Sequence, residues 1–234
     1  MKPIDRILVP LDTMDLDWAA DTAERLRGHV GGIKLGKEFI SAHGPQGVRQ
    51  VTDGDYPLFL DVKFHDIPNT VAGAIRAVSA LGPFMVNVHA SGGRAMMKAA
   101  VAANAEAGDT RPLMLAVTVL TSLDDDDLME LGVSANAGEQ VVRLARMAQD
   151  CGVEGVVCSP KEITLLRDAC GPNFKLVVPG IRPTWASTND QKRFSTPADS
   201  VAMGADYLVI GRPITGAKDP VAAAMRISEE LATV

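Results

Sequence analysis

The sequence has few cysteines, no excess of positive charge and no long hydrophobic run, and each shortage excludes a class of protein. Its three cysteines, Cys151, Cys158 and Cys170, lack the paired short spacing of a zinc site or a redox motif. We therefore expect them to be reduced and mostly buried. The formal net charge of −6 argues against nucleic acid or an anionic membrane surface as a partner. An anionic ligand would need local positive groups.

The chain also lacks the signals of secretion, membrane insertion and modular organisation. The apolar run at residues 7–11 is too short to cross a bilayer, and residues 1–6 show no cleavage signal. We therefore expect a cytoplasmic protein. No linker or low-complexity segment interrupts the 234 residues, of which 47% are hydrophobic, so residues 1–234 are predicted to form a single domain.

Short apolar runs alternate with stretches of helical spacing along the chain. The runs are rich in Val, Ile and Leu, which is typical of strands buried on both faces. They cover residues 7–11, 32–35, 58–62, 84–88, 113–119, 155–157, 176–178 and 207–210. Helical spacing covers residues 18–26, 71–81, 95–107, 141–148 and 221–231. Eight strands that alternate with helices predict the α/β class and a (β/α)8 TIM barrel.

Two polar segments lie between these elements. The acidic run at residues 124–127 is predicted to begin a helix, because carboxylates favour the positive end of the helix dipole. The segment at residues 182–197 is long and polar. Loops of this length inside compact domains are usually functional lids or disordered.

The third predicted strand carries the clearest chemical pattern. Asp61 and Lys63 lie two residues apart and therefore share a face, which would point into the mouth of the barrel. Lys34, on the neighbouring strand, can join them, whereas the direction of Asp66 does not follow from the pattern. Flanking carboxylates favour the ammonium form of Lys63, which suits a proton donor rather than a Schiff-base nucleophile. The alternative is an ion network that only holds the barrel together, although buried ion pairs contribute little to stability.

Two loops at the same end of the barrel are candidates for a phosphate site. In this fold such sites often lie in the loops after the seventh and eighth strands. Here these loops contain Gly180, Arg182, Gly211 and Arg212. The glycines allow backbone amides to approach an anion, and an arginine can bind two phosphate oxygens. For Arg182 the alternative is an ordinary arginine on a surface loop.

These residues together resemble the orotidine 5′-phosphate decarboxylase family. Residues 61–70 read Asp-Val-Lys-Phe-His-Asp-Ile-Pro-Asn-Thr, which contains the family signature Asp-x-Lys-x-x-Asp. The surroundings also agree, from about residue 7 to residue 225. Matching positions are Leu11-Asp12, Lys34, residues 117–122, residues 179–182, Gln191 and Gly211-Arg212.

The resemblance implies catalytic roles for four residues. Lys63 would be the catalytic acid, Asp61 would lie beside the substrate carboxylate, and Lys34 would belong to the charged network. Asp66, with Ile67 and Thr70, would reach into the site of the partner subunit in a homodimer with shared active sites. No cofactor and no metal is implied.

The resemblance also implies how the substrate, orotidine 5′-monophosphate, would be bound. Asp12 and Lys34 would contact the ribose hydroxyls, and Thr121 and Ser122 the pyrimidine. The phosphate would be held by Gln191, Gly211 and Arg212, with Arg182 nearby. His65 and His89 have no assigned role beyond supporting hydrogen bonds.

The implied reaction is decarboxylation to UMP, the last step of de novo pyrimidine nucleotide synthesis. Most decarboxylases use the electron sink of a cofactor, but this sequence shows no metal cluster or nucleotide fingerprint. The expected mechanism is therefore electrostatic stabilisation by a preorganised charge. Two alternatives are a metal-dependent phosphosugar decarboxylase, aldolase or epimerase of the same barrel group, and a non-catalytic nucleotide-binding protein.

Overall fold

The computed structural model describes residues 1–53, 56–186 and 195–234. Within these residues eight strands close into a barrel in chain order, with every neighbouring pair parallel. The strands are β1 (Ile7–Pro10), β2 (Gly32–Gly36), β3 (Leu58–Phe64), β4 (Met85–His89), β5 (Leu113–Val117), β6 (Gly155–Val157), β7 (Lys175–Val178) and β8 (Tyr207–Val209). The predicted (β/α)8 barrel is confirmed.

Helices follow the strands and cover the outside of the barrel. They are α1 (Leu16–Leu26), α2 (Lys37–Thr52), α3 (Pro68–Ser79), α4 (Gly93–Ala105), α5 (Asp125–Glu130), α6 (Ala137–Asp150), α7 (Ile163–Cys170), α8 (Pro197–Ala202), α9 (Arg212–Thr215) and α10 (Pro220–Leu231). The acidic run begins α5 as predicted, because Asp124 caps it by accepting hydrogen bonds from the amides of Asp126 and Asp127. Helix α2 is kinked at Gly44, where φ is 57°, and Pro45 follows. This interruption hides α2 in the sequence pattern.

Alternation along the strands separates two apolar regions. Outward side chains pack under the helices, and inward ones fill the barrel with a layer formed by Leu8, Phe59, Met85, Leu115, Val177, Tyr207 and Val209. Three inward positions on neighbouring strands carry polar residues instead, namely Lys34, Asp61 and Asn87. Lys34 pairs with Phe59 at the level of the apolar layer, whereas Asp61 and Asn87 lie one inward position further along their strands. The apolar layer is therefore the floor of a polar site at the carboxyl ends of the strands.

The cysteines agree with the sequence-based expectation. All three are free; Cys151 and Cys158 are buried, and Cys170 is half-buried. In the part of the chain that the structure describes, no helix is both long enough and apolar enough to cross a membrane.

Candidate active site

Four charged side chains, Asp12, Lys34, Asp61 and Lys63, form a continuous ion network at the carboxyl end of the barrel. Lys34 Nζ lies 2.9 Å from Asp12 Oδ2 and 3.1 Å from Asp61 Oδ2. Lys63 Nζ lies 2.6 Å from Asp61 Oδ1. The structure thus brings Lys34, Asp61 and Lys63 together as the alternation predicts. The side chain of Lys63 is 25% exposed against 9% for that of Lys34, so Lys63 is the more open of the two cations.

The ion network keeps its buried members charged. Burial alone would raise the pKa of Asp61, but the charges of Lys34 and then Lys63 outweigh it and hold that pKa below its usual value. Burial likewise opposes the charged form of Lys34, yet Asp61 and Asp12 raise its pKa above the usual value. The network therefore presents fixed charges rather than neutral groups.

A glycine makes room for the outer end of the network. The amide of Gly36 donates a hydrogen bond of 2.9 Å to Asp12 Oδ1. A Cβ at Gly36 would collide with this carboxylate and crowd Lys34 Nζ. Glycine at this strand end therefore lets Asp12 lie against the backbone and still reach Lys34.

The backbone at Lys63 departs from a regular strand. Its φ is 52°, in the left-handed region, and the pairing of β3 with β4 shifts register between Leu60 and Phe64. Such a conformation in a residue with a long side chain costs about 1–3 kcal/mol and persists only where its surroundings hold it. The fully buried Asn87 stabilises this conformation, because its Oδ1 accepts a 2.7 Å hydrogen bond from the Lys63 amide. Its Nδ2 also donates a 2.7 Å hydrogen bond to Asp61 Oδ1.

The sequence analysis gives no role to Asn87. This polar residue lies within the fourth apolar run, at residues 84–88, and shares the inward face of β4 with Met85. Its partners depend on the register shift between β3 and β4, which strict alternation does not predict.

A cavity of about 220 Å³ opens beside the ion network. Lys34, Asp61 and Lys63 form its charged side, and Thr121 lies in its lining as expected of a ligand contact. Its other walls are mostly apolar and consist of Phe59, Val117, Val119, Leu120, Val157, Cys158, Pro179 and Val209. An apolar cavity with a few convergent polar groups is typical of a small-molecule site. Ser122 is exposed and is not part of this lining.

Two further features of the described residues, the Cys158 thiol and a groove at α6, are poor candidates for a second reactive centre. Burial raises the pKa of the Cys158 thiol well above its usual value, so this cysteine is a poor nucleophile. A larger groove of about 660 Å³ lies along the outer face of α6. It is not at the carboxyl ends of the strands, where this fold carries its catalytic groups.

The predicted phosphate loops lie next to each other, because β7 and β8 are paired. Arg182 is only 5% exposed, and its Nη1 donates a 2.9 Å hydrogen bond to the carbonyl of Ile181. The alternative of a surface-loop arginine is therefore wrong. Gly211 precedes α9, where a Cβ would press on Pro10, and Arg212 is the exposed first residue of that helix. Gln191 lies outside the described residues.

The segment after Lys63 is exposed and does not line the cavity. Residues 65–70 are all exposed, including Asp66, Ile67 and Thr70, and Ile67 is 67% exposed. Asp66 Oδ1 accepts a hydrogen bond of 2.6 Å from the amide of Ile67. None of the three lines the cavity of its own chain. Their implied contact with a partner subunit stays a prediction.

The two histidines near Lys63 pack against each other. The ring centroids of His65 and His89 are 5.5 Å apart, at an angle of 40°. Within the described residues neither ring makes a hydrogen bond, so the expected supporting hydrogen bonds are not seen there. Burial, followed by the charges of His65, Lys37 and Lys63, lowers the pKa of His89 to about 4. His89 is therefore a neutral packing group beside the network at neutral pH.

Comparisons with known proteins point to one family. The family model described as "Orotidine 5'-phosphate decarboxylase / HUMPS family" matches residues 5–227. Orotidine 5'-phosphate decarboxylase of Rhodospirillum rubrum is 56% identical over 96% of this chain and 93% of that protein. The protein of the same name from Paramagnetospirillum magneticum is 53% identical over 97% of this chain and 99% of that protein.

A solved structure gives the same result. The crystal structure of orotidine 5'-phosphate decarboxylase from Lactobacillus acidophilus superimposes with a TM-score of 0.86 at 37% identity, covering 96% of this chain and 98% of that one. The family and the enzyme class that the sequence predicts are thereby confirmed, whereas the role of each site residue stays a prediction. With a matching family model along almost its whole length and relatives more than half identical, this chain belongs to the orotidine 5′-phosphate decarboxylase family.

Proposed function

We propose that this protein converts orotidine 5′-monophosphate to UMP and carbon dioxide without a cofactor, as the last step of pyrimidine nucleotide synthesis. The observation that carries the proposal is the ion network on the charged side of the 220 Å³ cavity, in a chain of this family. Two cations and two carboxylates held at fixed distances suit a reaction whose difficulty is the charge that develops in it.

The reaction breaks the bond between carbon 6 of the pyrimidine and its carboxylate. The electron pair stays on carbon 6 in the plane of the ring, where the ring cannot delocalise it well. The ammonium of Lys63 would lie against this carbon, stabilise the developing carbanion and donate a proton to it. Asp61 would hold Lys63 in place through the 2.6 Å contact and lie beside the departing carboxylate. Solvent then returns a proton to Lys63.

Binding of the nucleotide would involve residues on several loops. Asp12 and Lys34 would contact the ribose hydroxyls, and Thr121 and Ser122 the pyrimidine. Of the last two, Thr121 lines the cavity and Ser122 does not. Gly211, Arg212, Gln191 and Arg182 would hold the phosphate. The phosphate is remote from carbon 6, so its binding energy would serve to order the site and to close the loop at residues 182–197.

The active unit in this proposal is a homodimer with shared sites. Support comes from the exposed residues Asp66, Ile67 and Thr70, which follow Lys63 directly yet do not enter the cavity of their own chain. A mixing experiment tests the arrangement. Lys63→Ala and Asp66→Ala chains are each expected to be inactive alone, whereas a hybrid dimer would regain one complete site. If Asp66 acts within its own chain, co-refolded mixtures stay inactive.

One assay separates the proposal from its alternatives. The loss of orotidine monophosphate absorbance is followed with purified protein and excess chelator, and UMP is quantified as product. Continued turnover supports the proposal, and turnover that stops with chelator and returns with a divalent metal supports the metal-dependent alternative. Tight UMP binding without turnover supports a non-catalytic nucleotide-binding protein. Among the described residues, no group of three or more His, Cys, Asp or Glu is placed to hold a metal ion.

The cellular location is a smaller part of the proposal. The three cysteines are free, and free thiols are usual in reducing compartments. This supports the cytoplasmic location expected from the sequence, which fractionation of cells that express the protein would test.

A further inference from the structure

Three hydrogen bonds link Lys63, Asp61 and Asn87 in a closed ring. Lys63 Nζ donates to Asp61 Oδ1 at 2.6 Å, and the same oxygen accepts from Asn87 Nδ2 at 2.7 Å. Asn87 Oδ1 then accepts from the main-chain amide of Lys63 at 2.7 Å. The ring thus returns to the residue where it began. Asn87 is its one member that does not line the cavity.

Each half of the Asn87 amide has a distinct task in this ring. The carbonyl oxygen holds the amide of Lys63 while that residue is in the left-handed region, with φ at 52°. The amino group holds the Asp61 oxygen that receives Lys63 Nζ. One rigid planar group therefore fixes both the base of the lysine side chain and the carboxylate that holds its tip.

Water cannot readily replace this group. The exposed fraction of Asn87 is 0%, and that of Asp61 is 7%. A buried donor or acceptor that loses its partner keeps the full cost of desolvation. Removing Asn87 would therefore let the Lys63 backbone and the Asp61 carboxylate relax toward other partners, which would move Nζ away from its position at the cavity.

We propose that Asn87 is a positioning residue for the decarboxylation, which acts through Lys63 and Asp61 without touching the substrate. This inference rests on the proposed function. Misplacement of a reacting group by about 1 Å can cost about 10²-fold in rate. Nucleotide binding depends on other residues and is expected to change little.

The first test compares Asn87→Ala with a matched control. Asn104 is also a buried asparagine, and its Nδ2 donates at 2.8 Å to the carbonyl of Pro112, away from the ion network. Asn87→Ala is expected to lower kcat by about 10²-fold, with UMP affinity within about threefold of wild type. Asn104→Ala is expected to lose thermal stability but to keep kcat within about twofold. A similar fractional loss of kcat in both variants, compared at equal folded fraction, would refute the positioning role.

The second test uses the isosteric variant Asn87→Asp, which keeps an acceptor for the Lys63 amide but removes the donor to Asp61. At low pH the two neighbouring carboxyl groups can share a proton, and at high pH they repel each other. The kcat of this variant is therefore expected to fall as pH rises between about 5 and 8, while wild type does not follow that trend. A purely structural role predicts parallel pH profiles of kcat for variant and wild type, and that result would overturn the inference.

The wild-type enzyme in the same assays separates this inference from the proposed function. If wild type does not convert orotidine monophosphate, the proposed function fails and the inference falls with it. If wild type turns over and both Asn87 variants match it, only the inference fails.

Discussion

Within the described residues an ion network lies at each end of the barrel, and the two networks differ in how completely protein partners satisfy their charges. At the amino end lies the Arg167 cluster, formed by Arg167, Lys175 and Asp206. Arg167 donates to Asp206 and to four main-chain carbonyls, those of Gly171, Pro172, Phe174 and Gly204. At the carboxyl end the ion network contains four charged side chains instead of three, and it borders a cavity.

The comparison shows how similar chemistry serves two purposes. The guanidinium of Arg167 ties the end of α7 to the starts of β7 and β8, and its donors are directed at protein acceptors. The ammonium of Lys63 has one carboxylate partner at 2.6 Å and borders the cavity, so it can still interact with a ligand. A fully bonded network stabilises the fold, whereas a network with remaining donor capacity at a cavity can act on a substrate.

The largest expected effect follows from removing the ammonium group at the cavity. Lys63→Ala is expected to reduce kcat by about 10⁴-fold or more, because the variant would lose the group that we propose stabilises the carbanion and donates the proton. UMP should still bind, as isothermal titration calorimetry would show. Lys175→Ala, which removes a lysine from the Arg167 cluster, is the matched control and should retain normal kcat. Residual activity of Lys63→Ala within about tenfold of wild type would contradict the assigned role.

The next effect is on stability rather than on rate. Arg167→Ala is expected to lower the free energy of unfolding by about 3 kcal/mol, because Asp206 loses its main partner and several carbonyls lose their donor. Urea denaturation would measure the loss. The kcat of the folded fraction should stay within about twofold of wild type, since the cluster lies at the opposite end of the barrel. A large fall in kcat at full folding would break the distinction between the two ends.

A third variant tests whether the catalytic end depends on a charge far from the reacting carbon. Arg212→Ala is expected to reduce kcat/KM by about 10²-fold, because phosphate binding energy would be lost although no reacting atom is touched. Steady-state kinetics with orotidine monophosphate measures this effect. Arg76→Ala, which breaks the exposed pair with Glu106 on the outer surface, serves as the control. Unchanged kinetics of Arg212→Ala would refute its assignment to the phosphate.

The sequence predicts the barrel and much of the ion network for the same physical reason. Alternation along buried parallel strands decides which side chains face inward, and it correctly brings Lys34, Asp61 and Lys63 together. It fails where the backbone leaves the regular pattern. The left-handed Lys63 and the shifted pairing with β4 depend on contacts between strands, so the role of Asn87 could not be read from spacing.

The roles of Arg167 and Asp66 could not be predicted from the sequence pattern, because they depend on contacts that form only in the folded chain. Arg167 looks like any polar residue of an amphipathic helix, and only the folded chain shows the carbonyls around it. The direction of Asp66 is likewise set by the turn that precedes α3, where its own carboxylate binds the amide of Ile67. The proposed lid at residues 182–197 stays a prediction, because residues 187–194 lie outside the described part of the chain.

The smallest expected effect is a pH dependence confined to the catalytic end. Burial, with His65 and two lysines nearby, lowers the pKa of His89 to about 4, whereas an unfolded histidine titrates near its usual value of 6.5. As pH falls from 6.5 toward 4 the unfolded state therefore takes up the proton first, and the free energy of unfolding decreases, by about 1 kcal/mol once solvent screening of the partly exposed ring is included. The neutral form of His89 contributes this stability fully above pH 6.5.

The variant His89→Gln isolates this contribution. Urea denaturation of wild type and variant at pH 8 and pH 5 is expected to show a smaller loss of stability on acidification in the variant, because glutamine cannot take up a proton in the unfolded state. At pH 8 the difference between the two proteins reports packing alone, since the histidine is neutral in both states. An equal loss on acidification in both proteins would mean that His89 is protonated as readily in the folded barrel as in the unfolded chain. Burial would then not keep His89 neutral beside the ion network.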